Sequence, residues 1–137
     1  MEIDFALLSD VAEVVNGKIY LLGGGIETIW SSQLPVIHNR LSLVIRLLIT
    51  PAELDRQHKI EINLLTEDGR RLQTVGGDIQ VGRNPSLPKG WRQSFVSVLN
   101  FNGLKFDNFG DHAFEIMVNG TSMKSLPLRI AQQVKLG

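Results

Sequence analysis

The three histidines are the side chains of this sequence best suited to acid–base catalysis or to binding a metal. His38, His58 and His112 are widely spaced, and no two of them have the H-x-x-x-H spacing of a metal motif. His112 follows Asp111, which could orient it as a general base. The serines that could serve as nucleophiles carry no recognisable motif: Ser9, Ser94 and Ser97. We therefore expect no catalytic residue and predict that the protein is not an enzyme.

A run of three glycines, residues 23–25, follows an apolar segment and is a candidate phosphate-binding loop. The dinucleotide fingerprint needs a further glycine at the position of Thr28 and then a helix, whereas residues 26–30 have a strand pattern. Lys18 is followed by Ile19 rather than by Ser or Thr, so it is not the lysine of a P-loop. The glycines indicate a bulge or a hairpin, and we expect no cofactor.

Residues 107–111 (Asp-Asn-Phe-Gly-Asp) gather oxygen ligands of the kind that binds calcium in some β-sandwich loops. The ligand order of an EF-hand is absent, and Gly110 with Asp111 suits an ordinary turn. The chain contains no cysteine, which excludes disulfides, thiolate nucleophiles and cysteine-ligated zinc. We predict no metal site.

Charge is distributed unevenly although the net charge is zero. Residues 1–30 carry five acids and one base, whereas residues 70–92 carry five bases and one acid. A nucleic-acid-binding domain usually has a basic excess overall, so nucleic acid is not the expected partner. Complementary patches instead favour association with a second copy or with another protein. We predict a homodimer that uses the segment 26–30, which contains neither lysine nor proline to protect a strand edge.

A second hypothesis is a small-ligand-binding domain. The loops 23–36 and 82–92 carry the only two tryptophans, Trp30 and Trp91, which could line an apolar pocket. Neighbouring arginines would supply charge for an anion, and an indole can also stack on a base. The predicted binding residues are Trp30, Arg83, Trp91 and Arg92. The leading hypothesis is a non-enzymatic binding or assembly module.

The elements that position these side chains are strands, because apolar and polar residues alternate with a period of two. The segment 40–49 has the strongest pattern, with Leu43, Ile45 and Leu47 on one buried face. We expect these residues to pack against apolar residues of two later strands, namely Ile62, Leu64, Phe114 and Ile116. Strands are predicted near residues 3–9, 11–15, 18–23, 26–30, 40–49, 58–66, 71–81, 94–101, 112–118 and 122–130.

Turn signals separate the strands. Tight turns are predicted at Asn16-Gly17, Asp68-Gly69 and Asn119-Gly120, one helical turn at residues 50–53, and a long loop at residues 82–90. Many short strands with frequent turns predict an all-β fold, a two-sheet antiparallel β-sandwich in a single domain of residues 1–137. The segment 109–130 resembles the closing hairpin of immunoglobulin-like folds.

The N-terminal sequence carries a family resemblance. It lies in residues 4–10 (Asp-Phe-Ala-Leu-Leu-Ser-Asp), in Ala12-Glu13, in residues 17–20 (Gly-Lys-Ile-Tyr) and in residues 22–24 (Leu-Gly-Gly). On these residues the chain resembles an uncharacterised family of small bacterial all-β proteins, a domain of unknown function, over nearly its full length. The resemblance implies a bacterial, cytoplasmic protein and brings no activity, cofactor or catalytic residue with it.

The sequence also predicts that the protein does not cross a membrane. Its longest strongly apolar stretch, residues 41–49, is interrupted by Ser42 and Arg46, and a spanning helix needs about twenty apolar residues. The first residues are acidic and lack the pattern of a secretory signal. We therefore expect a cytoplasmic location.

Overall fold

The computed structural model describes residues 1–134, which consist almost entirely of strands. These are β1 (Glu2–Val15), β2 (Lys18–Gly24), β3 (Thr28–Ser31), β4 (Val36–Ile49), β5 (Gln57–Leu65), β6 (Arg71–Gln80), β7 (Gln93–Phe106), β8 (Gly110–Val118) and β9 (Thr121–Gln132). The predicted helical turn is confirmed as a 3-10 turn, Pro51–Glu53, in which the Glu53 carboxylate accepts hydrogen bonds from the Thr50 N–H and hydroxyl. No helix among residues 1–134 has the length and apolar character that crossing a membrane requires.

The strands form two packed sheets, as the predicted sandwich requires. The first sheet has the order β2-β1-β4-β7, and the second has the order β3-β9-β8-β5-β6. Neighbouring strands are antiparallel, as predicted, with one exception among the described residues: β3 and β9 are parallel. The physical reason is a crossover: the N–H groups of Gly25 and Ile26 both donate to the carbonyl of Leu8, and the chain then passes from the first sheet to the free edge of β9.

The core lies between the two sheets and matches the predicted residues. Leu43, Ile45 and Leu47 are fully buried in β4, and so are the four residues expected to face them: Ile62, Leu64, Phe114 and Ile116. Phe101 of the first sheet packs against Phe114 of the second, with ring centroids 5.3 Å apart. One continuous apolar cluster therefore joins the two sheets. The predicted domain runs to residue 137, and residues 135–137 lie outside the described part of the chain.

Several strand boundaries differ from the predicted ones. The predicted strands 3–9 and 11–15 are one strand, β1, because its first half pairs with β4 and its second half pairs with β2. The predicted strand 40–49 begins earlier, at Val36, because residues 36–40 pair with the last residues of β7. The predicted strand 26–30 starts only at Thr28.

Gly103 explains why the alternating pattern predicted an end of β7 near residue 101. The backbone of Gly103 has φ +64°, a left-handed conformation that side chains disfavour. The buried positions change phase there, from Phe101 before the glycine to Leu104 and Phe106 after it. The strand therefore continues and keeps filling the core, although its period of two is broken.

The strands define two ends of the sandwich. Ile49 and Gln93 are paired at one end, which we call the Ile49 end, close to the start of β1. Gly110 and Ile130 are paired at the opposite end, which we call the Gly110 end. Only loops that lie at the same end of the sandwich can contribute side chains to one site.

Candidate functional site

Two of the four predicted binding residues meet at the Ile49 end. Arg83 and Trp91 line a concave pocket of about 300 Å³ that the loop between β6 and β7 forms against Leu54. Lys89 adds a second positive side chain to the wall. The pocket thus combines an exposed indole with cationic groups, a combination that suits a small aromatic anion.

Gln93 holds this loop in place. Its side-chain oxygen accepts a hydrogen bond from the N–H of Asn84 at 2.8 Å, and its side-chain nitrogen donates to the carbonyl of Gly82 at 3.0 Å. Within the loop, the N–H of Trp91 donates to the carbonyl of Pro88. The amide side chain of Gln93, at the start of β7, therefore anchors the loop that forms the pocket.

The other two predicted residues do not join the pocket lining. Trp30 lies on β3 opposite Ala131, at the Gly110 end, whereas Trp91 precedes β7 at the Ile49 end. A single pocket lined by both tryptophans, as predicted, is therefore wrong, because the length of the strands separates them. Arg92 is bound to Glu2 through a 3.0 Å ion pair.

The oxygen-rich loop 107–111 lies at the Gly110 end beside a second cavity of about 460 Å³, lined in part by Glu67, Asp68 and Asp111. Asp111 pairs with Arg129 at 3.1 Å. The pKa of Asp68 is lowered by hydrogen bonds from the Thr66 hydroxyl and from its own backbone N–H. Among residues 1–134 no three His, Asp or Glu side chains are grouped so that they could hold a metal ion.

Two of the three histidines have structural roles. His58 places Nε2 2.7 Å from the carbonyl of Glu53, and its Nδ1 lies 3.0 Å from the side-chain nitrogen of Asn119. His112 places Nδ1 3.1 Å from the carbonyl of Gly110, and its ring packs edge-on against Phe106. Both buried imidazoles thus connect loops to the core.

The hairpin predicted around Asn16-Gly17 is present, and its exposed apolar surface is a feature that the sequence did not predict. Beyond Ser9, β1 separates from β4 and pairs with β2 alone, through the predicted turn at Asn16-Gly17. We call residues 9–24 the β1–β2 hairpin. It carries five of the eleven exposed large apolar side chains in residues 1–134: Val14, Val15, Tyr20, Leu21 and Leu22. The available signal was a run of four apolar residues, 19–22, without the alternation that a half-buried strand shows.

The hairpin also presents an open strand edge. β2 is the outermost strand of the first sheet and pairs only with β1 among the described residues. In a hairpin with a two-residue turn, the two residues that flank the turn are hydrogen-bonded to each other, and here these are Val15 and Lys18. Along the strands, hydrogen-bonded pairs then alternate with non-bonded pairs, so Ile19 and Leu21 of β2 stand in non-bonded pairs. The N–H and C=O groups of Ile19 and Leu21 therefore point away from β1, toward the free edge.

Residues 4–131 match the model of a family described as a family of unknown function, DUF6941. The match covers most of the chain, so the chain belongs to this family, and the predicted membership in an uncharacterised family is confirmed. No curated protein and no solved structure matches the sequence. The family description leaves the function open.

Proposed function

We propose that this member of a family of unknown function (DUF6941) is a non-enzymatic interaction module that self-associates through the free edge of β2. The observation that carries the proposal is the exposed apolar surface of the β1–β2 hairpin, where the side chain of Leu22 is 71% exposed. A two-stranded hairpin without further packing is marginally stable in water. A partner that covers these side chains would bury apolar surface and stabilise the hairpin.

A second copy fits the edge of β2 by simple geometry. If two β2 strands pair antiparallel about a two-fold axis at Leu21, the outward backbone groups of Leu21 in each copy bond to each other. Tyr20 of each copy then lies opposite Leu22 of the other, in a non-bonded pair where side chains are closest. Beyond these pairs the regular ladder ends at Gly23, whose backbone is left-handed at φ +66°, and residues 19–24 contain no charged side chain that could face Lys18 of the other copy. The zero net charge of the chain adds no long-range repulsion.

The middle of the β2 edge is less protected than the edges of β6 and β7. β2 begins with Lys18, but residues 19–22 contain no charge and no proline, whereas edge strand β6 carries Arg71 and Asp78, and β7 carries Lys105. β3, which contains most of the predicted segment 26–30, has only four residues and offers a shorter edge. A dimer through residues 26–30 remains a prediction, and its exposed Trp30 provides the residue to test it.

Measuring the mass in solution across a range of protein concentrations tests the proposal. The unmodified chain is expected to exceed its monomer mass of 15.2 kDa as concentration rises. Leu22→Lys, which places a charge on the exposed edge, is expected to give a monomer at every concentration. Ile37→Lys is the matched control, because Ile37 is similarly exposed but lies on β4 outside the hairpin.

Two results would contradict the proposal. A strict monomer for the unmodified chain at high micromolar concentration would exclude self-association and favour the ligand-binding alternative. If Trp30→Lys gives a monomer while Leu22→Lys still forms a dimer, the interface lies at residues 26–30 instead.

The absence of catalysis is part of this proposal. It is supported by His58, whose two ring nitrogens contact the Glu53 carbonyl and the Asn119 side-chain amide. His112 places Nδ1 against the Gly110 carbonyl, and its ring lines the cavity of about 460 Å³ at the Gly110 end. We also place the protein in the bacterial cytoplasm on the family resemblance of its N-terminal residues.

The immunoglobulin-like assignment also belongs to the proposal. In the first sheet, β1, β4 and β7 can be matched to the immunoglobulin strands A, B and E, which gives the order A-B-E. In the second sheet, β9, β8, β5 and β6 can be matched to G, F, C and C′, which gives the order G-F-C-C′. This correspondence supports the assignment. The long loop between β6 and β7 then stands where strand D would lie.

A second candidate function is binding of a small aromatic anion by the pocket that Arg83, Lys89 and Trp91 line. In the variant Trp30→Phe, Trp91 is the only tryptophan, and its fluorescence reports on the pocket alone. Saturable quenching by benzoate that Arg83→Gln weakens would support this function. Unchanged fluorescence at about 10 mM benzoate, well above ordinary metabolite affinities, would exclude it.

A further inference from the structure

The two sheets leave a cleft open between their edge strands β6 and β7. β6 pairs only with β5, and β7 pairs only with β4, among the described residues. Residues 81–92 connect the two strands as a loop, and within residues 1–134 no further strand closes this side of the sandwich. The opening leads to a cavity of about 130 Å³ between the sheets.

The walls of this cleft are apolar from the floor to the rim. Ile45, Leu47 and Ile62 form part of the floor and are fully buried. The partly buried apolar side chains at the rim are Ile60, Val75, Ile79, Phe95 and Leu99. Among the described residues that line the cleft, Asp78 is the one charged group, and Ser97 is the one hydroxyl.

We propose that this cleft is a binding site for an uncharged hydrocarbon group of about six carbon atoms, either an alkyl chain or a small ring. An enclosed apolar cavity of roughly 150 Å³ engineered in another protein binds benzene, so a volume of about 130 Å³ suits a group of similar size. The edge strands expose backbone N–H and C=O groups at the rim, but apart from Asp78 and Ser97 the side chains that line the cleft offer no hydrogen-bonding partner, so a polar group would lose its hydration on reaching the floor. The opening between two sheet edges lets such a group enter without separating the sheets.

The site is independent of the proposed self-association. β2 and β1 lie at the far edge of the first sheet, and neither contributes a residue to the cleft. A failure of one proposal therefore leaves the other standing. The two can be tested on the same protein by separate measurements.

NMR of isoleucine methyl groups tests the site with 1-hexanol as the probe. Saturable shifts are expected at Ile45, Ile60 and Ile79, with a Kd of about 1 mM from the burial of six carbon atoms. The methyl groups of Ile29 and Ile130, buried away from the cleft, should not shift. Hexane-1,6-diol, which is polar at both ends, should bind at least about tenfold more weakly because one hydroxyl must enter the cleft.

Two variants that fill the cleft complete the test. Ser97→Leu is expected to weaken the hexanol shifts at least fivefold, and Ser94→Leu, an exposed position on the same strand, should leave them unchanged. If Ser97→Leu does not fold, Gly77→Leu provides a second filling variant, since no atom lies within 4 Å of the Cβ that it would add. The proposal fails if hexanol gives no saturable shifts, or if both filling variants bind it as the unmodified chain does. If hexanol gives no shifts and Ser97→Leu also abolishes self-association, the cleft is an interface with a second copy of the chain rather than a hydrocarbon site.

Discussion

Arg92 donates a 3.0 Å hydrogen bond from Nη1 to Oε1 of Glu2 and so joins the basic stretch 70–92 to the acidic N-terminal segment within one chain. Asp4, in the same acidic segment, forms an ion pair with Arg46 of β4 at 3.5 Å. The complementary charges that predicted contacts between two copies are therefore partly paired inside a single copy. Four of the five bases in residues 70–92 form no ion pair among the described residues, so an interface on these charges and an interface on the apolar edge of β2 predict different responses to salt.

The first prediction is that self-association depends little on salt. At 0.1 M salt the attraction between exposed charges decays over a distance of about 10 Å, so added salt weakens an interface that depends on them. The free energy gained by burying Tyr20 and Leu22 is hydrophobic and is not weakened in this way. The dimer Kd measured by sedimentation should change less than about threefold between roughly 50 mM and 500 mM NaCl. A weakening of tenfold or more would point to the acidic and basic patches as the interface.

The second prediction concerns the core. Ile45 is fully buried between the sheets, so Ile45→Ala removes buried methyl groups and leaves a cavity. We expect the free energy of unfolding to fall by about 2–5 kcal/mol in denaturant titrations. The control Ile37→Ala, at an exposed position, should change it by less than about 0.5 kcal/mol. A loss below about 1 kcal/mol for Ile45→Ala would mean that this position is not part of the tightly packed core.

The parts of the fold that could be predicted are those with a local cause. The alternation around Ile45 identified the central strand, and the positive φ angles that Asn16 and Gly17 adopt follow from their residue types. The parallel pairing of β3 with β9 depends on a contact between residues about 100 positions apart, which no local pattern encodes.

The candidate site was less predictable than the fold for the same reason. Arg83 and Trp91 are close in sequence, and they share a pocket. Trp30 is remote in sequence, and its position was set by the crossover to β9 rather than by its own segment. The exposure of Leu22 arises because β1 leaves β4 after Ser9, a change of partner that the sequence of β1 does not reveal.

The third prediction is that calcium does not affect stability. Asp111 is already paired with Arg129, and Asp107 lies 3.7 Å from Lys105, so both carboxylates have cationic neighbours. The thermal midpoint should be the same in millimolar calcium and in a chelator, because a specific site would raise it by mass action. A calcium-dependent rise that Asp111→Asn abolishes would contradict this.

The fourth prediction is an acid-dependent loss of stability caused by Glu53. Burial acts to raise the pKa of Glu53, but hydrogen bonds from the Met1 ammonium and from the Thr50 N–H and hydroxyl outweigh it and lower the pKa from 4.5 to about 2. The carboxylate is one-quarter exposed, so solvent screens part of this interaction. We expect it to contribute about 1–2 kcal/mol to stability at neutral pH.

The sign of the pH dependence follows from the lowered pKa. Between pH 4.5 and about 2 the unfolded chain binds a proton that the folded chain does not, so the contribution is complete above pH 4.5 and disappears as pH falls toward 2. Glu53→Gln should therefore be less stable than the unmodified chain at pH 6, and the difference should shrink toward zero by about pH 2 in denaturant titrations. Glu13→Gln, at an exposed position of the hairpin, should show no such convergence. A difference that stays constant across this range would mean that the Met1 ammonium and Thr50 do not hold the Glu53 carboxylate in solution.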